Sequence, residues 1–302
     1  MHDLAVIVVS TDQAHWLPPC LATLRSHLGG LDAEVVVVDN GSDRATQRLV
    51  EADYDWVRVL VRPNRGFAHA NNEALATVDA RHVLFLNPDT ELVSGTLADV
   101  VAELDRDTAI GLVGVRQLDA RGAVYPTMRN FPSVTRALGD ALGLERLPAR
   151  PAWLGERETR LDRYETSFEA DWTIGSFMLV RGEALAAVGG FDDGFFVYSE
   201  EVDLCLRLRA AGWKVVHLPT LTILHHGSTV RSVDPRMSRQ NAYAQLQYAR
   251  KHFSRATRAA FRGALLLRYA LRSLPPVGDA RRRAAARAAA TLVLGRSEPP
   301  FA

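Results

Sequence analysis

Cysteine is nearly absent. Two cysteines, Cys20 and Cys205, in 302 residues exclude a disulfide framework and a Cys-cluster zinc site. Both lie in apolar helical contexts and read as small core side chains. No apolar run reaches the roughly 18 residues of a membrane span. The apolar run after Met1-His2-Asp3 has neither a basic flank nor a cleavage pattern, so no signal peptide is read and a cytoplasmic protein is expected. Internal repeats are absent. So is a glycine-rich loop with a lysine early in the chain, the phosphate clamp of many nucleotide-binding enzymes. What is present, 47% hydrophobic and 24% charged residues, places the chain among ordinary globular proteins of one or two domains.

The overall charge of +1 hides an asymmetry. Residues 250–302 carry twelve Lys and Arg against two acids, Asp279 and Glu298, a net of +10 that leaves −9 for residues 1–249. An acidic body with a basic tail points to an anionic partner for the tail.

The first half alternates strand and helix. Leu4–Val9, Glu34–Val38, Val57–Val61, Val83–Leu86 and Ile110–Val115 are apolar runs of strand length. Between them, Leu17, Leu21, Leu24 and Leu28 mark one helical face that Gly29-Gly30 ends. Residues 43–52, 67–78 and 96–104 read as further helices. Strands separated by single helices give right-handed crossovers and a mostly parallel sheet. From about Gln117 to Ala170 the pattern fades into a long Arg-rich connection or lid with some helix, punctuated by Pro126, Pro132, Pro148 and Pro151. Order returns at Trp172–Val180, followed by helices at 182–188 and 201–211. Short strands at 213–217 and 221–225 and a helix at 237–252 complete the body. Arg281–Ala290 is a strong helix former.

Ligands of such sheets bind beyond the carboxyl ends of the strands, so the residues there carry the functional question. Asp39 and Asp43 flank a turn, DNGSD; it is either a turn with a helix cap or a place for Asp39 to accept hydrogen bonds from a nucleotide base. The segment Asn64-Arg65-Gly66 opens a helix whose amides and Arg65 suit a diphosphate, with Asn71 one turn in; the plainer reading is a Gly-broken loop. Asp89 of Asn87-Pro88-Asp89 suits a hard divalent cation holding a diphosphate, or is an ordinary turn acid. Glu200, Glu201 and Asp203 open a helix. Acids there complement the macrodipole, but a partly desolvated carboxylate is also a general base. His225-His226 end the last strand as core residues or as ligands.

In this order, VIVVST, VVVVDNGSD, NRGFAHANNEAL, VLFLNPD, the stretch from Trp172 to Trp213 and LHHGST resemble the family-2 inverting glycosyltransferases of the GT-A fold, in particular their rhamnosyltransferase-like branch. The resemblance covers about residues 4–253. It implies an α/β GT-A nucleotide-binding domain over 1–253, with a donor half at about 1–116 and an acceptor half at about 117–253, and a basic helical extension at 254–302. It implies donor contacts at Ser10, Asp39, Asn64, Gly66, Asn71 and Asp89. Acceptor-side positions fall at Trp172, Gly175 and Glu200, and the catalytic base at Glu201, where the family usually has Asp. Asp89 and His225 would hold Mg²⁺ or Mn²⁺, with Asn87 standing where the family's first Asp usually stands. Thr11-Asp12 replaces the family's Tyr-Asn. The expected reaction moves rhamnose or another hexose from a nucleoside-diphosphate sugar to a hydroxyl of a glycan or lipid-linked saccharide.

Two other readings are open. A nucleotidyltransferase would need the missing basic phosphate clamp. A nucleotide-sugar-binding protein with impaired catalysis would fit the Asn87 and Glu201 departures, but not the retention of Asp89, Glu200, Glu201 and both histidines. For the tail, Arg255, Arg258, Arg262 and Arg272 among Phe261, Leu265, Leu266 and Tyr269 suggest attachment to an anionic membrane surface at the inner face of the cell membrane. Charge would act together with shallow apolar insertion. The plainer reading is a helix packed on the acidic body. Sparse aromatic interleaving argues against nucleic acid.

Overall fold

Leu4 to Val9 are apolar without alternation, and in the computed structural model all six are buried within β1 (His2–Ser10). A strand covered on both faces has no use for a polar side. The structure describes residues 1–147, 150–229, 234–275 and 278–301, and Pro148 lies outside them. α1 (Leu17–Ser26) starts on a proline-containing turn and buries Leu17, Cys20, Leu21 and Leu24. It ends before Gly29-Gly30, leaving Leu28 packed at the core edge. β2 (Ala33–Asp39), α2 (Ala45–Asp53), β3 (Val57–Val61), α3 (Phe67–Leu75) and β4 (Ala80–Leu86) follow in the expected alternation. β1 pairs in parallel with both β2 and β4, and β2 with β3.

Beyond β4 the order is less regular. β5 (Thr90–Ser94) was not foreseen; it is short and its Val93 is exposed, so it shows no buried pattern to read. α4 (Leu97–Arg106) is held by a reciprocal cap between Thr96 and Asp99. β6 (Ile110–Asp119) extends past Val115. The long connection contains helix, as expected, in α5 (Val134–Ala141), and also the short strands β7 (Met128–Arg129) and β8 (Phe168–Ala170). Then come β9 (Trp172–Thr173), β10 (Phe177–Arg181), α6 (Gly182–Val188) and α7 (Glu200–Ala210). The two short strands expected at 213–217 and 221–225 are one strand, β11 (Lys214–His225), whose register shifts between Leu218 and Thr222 around Pro219. Polar and proline residues at that shift split the apolar run without ending the strand. Gly95, at φ +82, lets Thr220 approach: a Cβ there would lie 2.0 Å from the Thr220 carbonyl oxygen.

Among the described residues the main sheet has nine strands in the order β3-β2-β1-β4-β10-β6-β11-β5, with β8 also on β11. It is mostly parallel; β10, β5 and β8 run antiparallel to their neighbours. This arrangement brings the ends of β1, β2, β4 and β11 into position as candidate ligand-binding edges.

The chain forms two compact units. The first, Met1–Arg129 with Thr159–Asp193 and Glu201–Ser228, holds the sheet and its core. The second comprises Asn130–Glu158, Gly194–Glu200 and Thr229–Ala302. It includes α8 (Pro235–His252), α9 (Arg255–Arg272) and α10 (Ala280–Val293). Alanines 137, 242, 249, 264 and 289 let its helices close around Phe261, Leu265, Tyr269, Leu292 and Val293. The buried Arg268 and the half-buried Arg272 lie 3.1 and 2.5 Å from the Asp140 carboxylate. Burial alone would push the Asp140 pKa up, but the two guanidiniums outweigh it and hold the carboxyl below its ordinary value.

This packing corrects one expectation. Phe261, Leu265 and Tyr269 are core residues of the helical unit and Leu266 packs against them, so they are not available for shallow membrane insertion. Their 3.6-residue periodicity faces neighbouring helices rather than lipid. Arg255, Arg262, Arg281, Arg282 and Arg287 remain exposed. Among the described residues no helix is long and apolar enough to cross a membrane.

Candidate functional site

At the end of β2, Asp39 is fully buried and its oxygens are occupied locally. Oδ1 accepts the Gly41 amide at 2.8 Å and Oδ2 accepts the Gln47 amide at 2.8 Å, inside the first turn of α2. The carboxylate therefore folds the DNGSD turn and caps a helix. Beside it, Ser10 at the end of β1 shares a buried 2.8 Å hydrogen bond with Thr46. Asp12 is left-handed (φ 52) and accepts the Ser42 amide at 2.8 Å.

The next segment is also closed by its own turn. Asn64 Oδ1 accepts the Gly66 amide at 3.1 Å, and Gly66, at φ 104, enters α3 in a conformation that favours glycine. Asn71 is buried; its Nδ2 donates to the Phe67 carbonyl at 2.8 Å, while its Oδ1 is buried with no hydrogen-bond partner. Such an acceptor carries a desolvation cost until a donor reaches it. Sequence reasoning missed the neighbouring Asn72. Its amide holds Phe191 by both backbone groups, at 2.9 and 3.0 Å, and Asp193 at 2.6 Å. His69 also meets Asp193, at 3.0 Å. These bonds tie α3 to the start of the FDDGFF stretch. The signal for them in the sequence was Gly190, at φ +76, where a Cβ would sit 2.7 Å from Asn72 Oδ1.

At the end of β4 the turn Asn87-Pro88-Asp89 is gripped from three sides. The Asn87 amide donates to the Ser176 carbonyl at 3.0 Å, and Thr90 Oγ1 donates to the Asn87 carbonyl at 2.7 Å. The Cys20 thiol, in α1, lies 3.8 Å from that same carbonyl. Burial pushes this thiol up to about 12, which makes Cys20 a core residue, as expected. The turn leads into β5, which pairs antiparallel with β11 so that Thr90 faces His225. Asp89 Oδ1 and His225 Nε2 are thereby 3.2 Å apart, and both side chains are almost fully buried. Gly227 completes the corner: a Cβ there would lie 2.0 Å from Asp89 Oδ2.

The two histidines part company. His225 faces Asp89, whereas His226 stacks on Trp16 at 4.6 Å and meets Glu91 at 2.6 Å. Behind His225, its Nδ1 is 3.2 Å from Gln117 Nε2, and Ser176 Oγ donates to Gln117 Oε1 at 2.6 Å. Neither Gln117 nor Ser176 was singled out from the sequence, since the apolar run ends at Val115 and Gln117 belongs to β6 only in the folded sheet.

Among the described residues no group of three or more His, Cys, Asp and Glu side chains converges as a closed metal site. The Asp89–His225 pair nevertheless fits a cation completed by its substrate. Adjacent ligands of an octahedral ion at about 2.1 Å stand about 3 Å apart, and such ions commonly take one or two carboxylates plus phosphate oxygens. The observed 3.2 Å matches.

On the α7 side, Cys205 is buried, bonds the backbone of Thr173 and is pushed up to about 12 by burial. Glu201 stands one turn before it on the same helical face and adds to that upward push. The base candidate is thus on the face that α7 turns toward β9. Asp203 is fully buried and paired with Arg207 at 2.7 Å, so it holds the helix. Glu200 is buried in the segment grouped with the helical unit. Just before it, Tyr198 and Ser199 both take left-handed backbone, at φ 74 and 67. Consecutive strained non-glycine residues concentrate at functional sites. Trp172 is 6% exposed and covered by the Arg129 guanidinium at 5.3 Å, so it forms wall rather than surface. A Cβ at Gly175 would meet nothing within 4 Å, which leaves open space there.

Comparison with known proteins follows the same lines. The profile of Glycosyl transferase family 2 matches residues 5–185, and that of Glycosyl transferase family group 2 matches residues 159–291. The chain is 32% identical, over 77% of its length and 78% of the relative's, to N-acetylglucosaminyl-diphospho-decaprenol L-rhamnosyltransferase of Mycobacterium tuberculosis. It is 26% identical to rhamnosyltransferase WbbL of Escherichia coli K12, over 64% of this chain and 82% of that one. In fold it resembles the mannosyltransferase PcManGT of Pyrobaculum calidifontis, solved with GDP-Man and Mn²⁺. That match has a TM-score of 0.55 and 15% identity, covering 99% of this chain and 77% of the other. The α/β sheet is of the GT-A type.

Proposed function

The chain belongs to glycosyl transferase family 2, and from that premise we propose that it moves rhamnose, or another hexose, from a nucleoside-diphosphate sugar to a hydroxyl of a lipid-linked saccharide, with inversion. The choice of sugar leans on the two rhamnosyltransferase relatives, and that of a lipid-linked acceptor on the mycobacterial one alone. The observation that carries the chemistry is the Asp89–His225 corner at the strand ends, 3.2 Å across and almost fully buried.

In this reading Asp89 and His225 hold Mg²⁺ or Mn²⁺. A bound cation of this kind supplies charge stabilisation to the departing nucleoside diphosphate. The chain's own groups do the rest. Asn71 Oδ1, buried and unpartnered, accepts a donor group of the nucleotide sugar and so offsets its own desolvation. Asn64 and Gly66 shape the α3 entrance so that its first amides face anionic oxygens. Asp39 and Ser10 fix the turn that borders the nucleoside. The open space at Gly175, walled by Trp172, admits the acceptor. Glu201 takes the proton from the acceptor hydroxyl as that oxygen attacks the anomeric carbon. One base suffices, because the leaving group needs charge stabilisation and not a proton.

The test is transfer from nucleotide sugars, first ranked by thermal shift, since a bound donor stabilises by mass action. Glu201→Gln should lower the rate by ~10² or more with donor affinity little changed. An equal loss in both would make Glu201 a structural residue. EDTA should abolish transfer and Mg²⁺ or Mn²⁺ restore it; full activity in chelator would remove the metal role. For the basic helices we propose attraction to anionic lipid by charge alone, at ~1 kcal/mol per arginine close to the surface. Vesicle co-sedimentation at low salt should weaken on truncation after His252, and equal pelleting of both forms would end that reading.

A further inference from the structure

We propose that Gln117 and Ser176 are positioning residues that decide which nitrogen of His225 carries the proton, and so whether His225 donates to Asp89 or turns a lone pair toward a cation held there. The inference rests on the metal reading above only for its second half. Three strands build the arrangement. Gln117 lies on β6, His225 on the parallel neighbour β11, and Ser176 immediately precedes β10, which pairs with β6. Gln117 is fully buried and Ser176 nearly so.

On the Nε2 side the ring lies between the Asp89 carboxylate at 3.2 Å, which can only accept, and the Asn87 Nδ2 at the longer distance of 3.5 Å, and the nearer carboxylate decides. On the Nδ1 side the hydrogen bonds read in one direction. Ser176 Oγ donates to Gln117 Oε1 at 2.6 Å. This leaves the Gln117 amide NH₂ to donate to His225 Nδ1 at 3.2 Å. In the neutral ring Nδ1 is then the acceptor, so the proton sits on Nε2, which faces Asp89 Oδ1 at 3.2 Å. His225 and Asp89 hold each other closed.

A cation on Asp89 needs the Nε2 lone pair, so the ring proton must then sit on Nδ1. The amide of Gln117 can follow by turning over. Oε1 would then accept from Nδ1–H and Nε2–H would donate to Ser176 Oγ. This works because a hydroxyl is donor and acceptor at once. The imidazole and the Gln117 amide thus keep a partner at each end in both states, which a low-dielectric site favours. An aliphatic residue at 117 would leave Nδ1 without a partner, and an alanine at 176 would leave the end of the Gln117 amide that faces away from His225 without one in either orientation. Gln117 and Ser176 therefore form a two-state support behind a single ligand.

The test begins with the full chain carrying ¹⁵N-labelled histidine and no added cation. Long-range ¹H–¹⁵N correlation reports the tautomer of each ring, with His225→Gln assigning the resonance. The expected result is Nε2–H for His225 in the wild type and in Ser176→Thr. Gln117→Met and Ser176→Ala should give a mixture of tautomers. Ser176→Ala removes one oxygen and guards against misfolding of the larger change. An Nδ1–H ring in the wild type, or an unchanged tautomer in both disrupted variants, overturns the proposal. Next, Mn²⁺ binding in the presence of inorganic pyrophosphate is counted by electron paramagnetic resonance of the free ion. Both disrupted variants should bind about tenfold more weakly, in the range for outer partners of metal ligands. A tautomer change with unaltered Mn²⁺ affinity overturns the link to ligation. If no form binds Mn²⁺, the metal reading fails and the tautomer result alone decides the positioning role.

Discussion

Two largely buried aspartates, one in each unit, show how the same side chain is put to opposite uses. Asp140 in the helical unit is met by Arg268 and Arg272, cations that persist at every working pH. They saturate its charge and pin α9 to α5. Asp89 in the sheet unit meets an imidazole and a glycine whose missing Cβ leaves room for the carboxylate. An acid matched by fixed guanidiniums is a structural fastener. An acid matched by a histidine whose proton can change sides is able to exchange that partner for a cation.

The sharpest way to break this contrast is to delete both acids. Asp140→Ala leaves a buried arginine with its main counter-charge gone and should cost ~3–5 kcal/mol of stability, read by urea denaturation. Asp89→Ala should cost less, ~1–3 kcal/mol for the buried His225 N–H left unpaired, and remove cation-dependent transfer. Equal destabilisation by the two would erase the distinction.

A third buried group sharpens the contrast from the pH side. Burial pushes the His217 imidazole down to about 4. Its folded pKa lies below its unfolded one, so its contribution to stability is present above about pH 6.5 and is lost as pH falls toward 4. The loss amounts to about 3 kcal/mol at most. Asp140 works in the same direction but lower, because its depressed carboxyl is protonated only below its ordinary value. His217→Gln should therefore flatten the stability profile between pH 6.5 and 4 and leave the more acidic limb in place. A profile unchanged in that window would remove His217 as its cause.

Smaller effects follow at the turns. Gly227→Ala must displace the Asp89 carboxylate and should weaken Mn²⁺ binding about tenfold, about 1.4 kcal/mol, with little change in Tm. Asp39→Ala should cost ~1–2 kcal/mol, the worth of a helix cap. If Asp39→Ala instead left stability intact and weakened donor binding alone, the carboxylate would be a nucleoside contact and not a cap.

These cases also show what could be read in advance. The alternation from β1 to β4 was legible because buried parallel strands are apolar without interruption and the helices between them keep a 3.6-residue period. β5 was not, since a short half-exposed strand carries no such period. Asp89 and His225 were each marked by the family pattern, but Asn72, Gln117 and Gly227 were not. Their roles depend on which atoms other segments bring to them. The apolar positions of α9 were visible as a stripe, yet a stripe looks the same whether it faces lipid or another helix.

By itself the sequence determined the α/β class, the strand ends as the place to look, the family, and the local turns. Asp39, Asn64 and Gly66 act on backbone amides within a few residues, and short-range geometry follows from residue type. Only the tertiary structure decided that residue 89 meets residue 225, that His226 does not share its neighbour's task, and that Gln117 stands behind the ring. Those contacts come from the order of strands in the sheet and from the register of β11 against β5 and β6. A shift of one residue in β11 would turn His225 to the opposite face of the sheet, away from both Asp89 and Gln117.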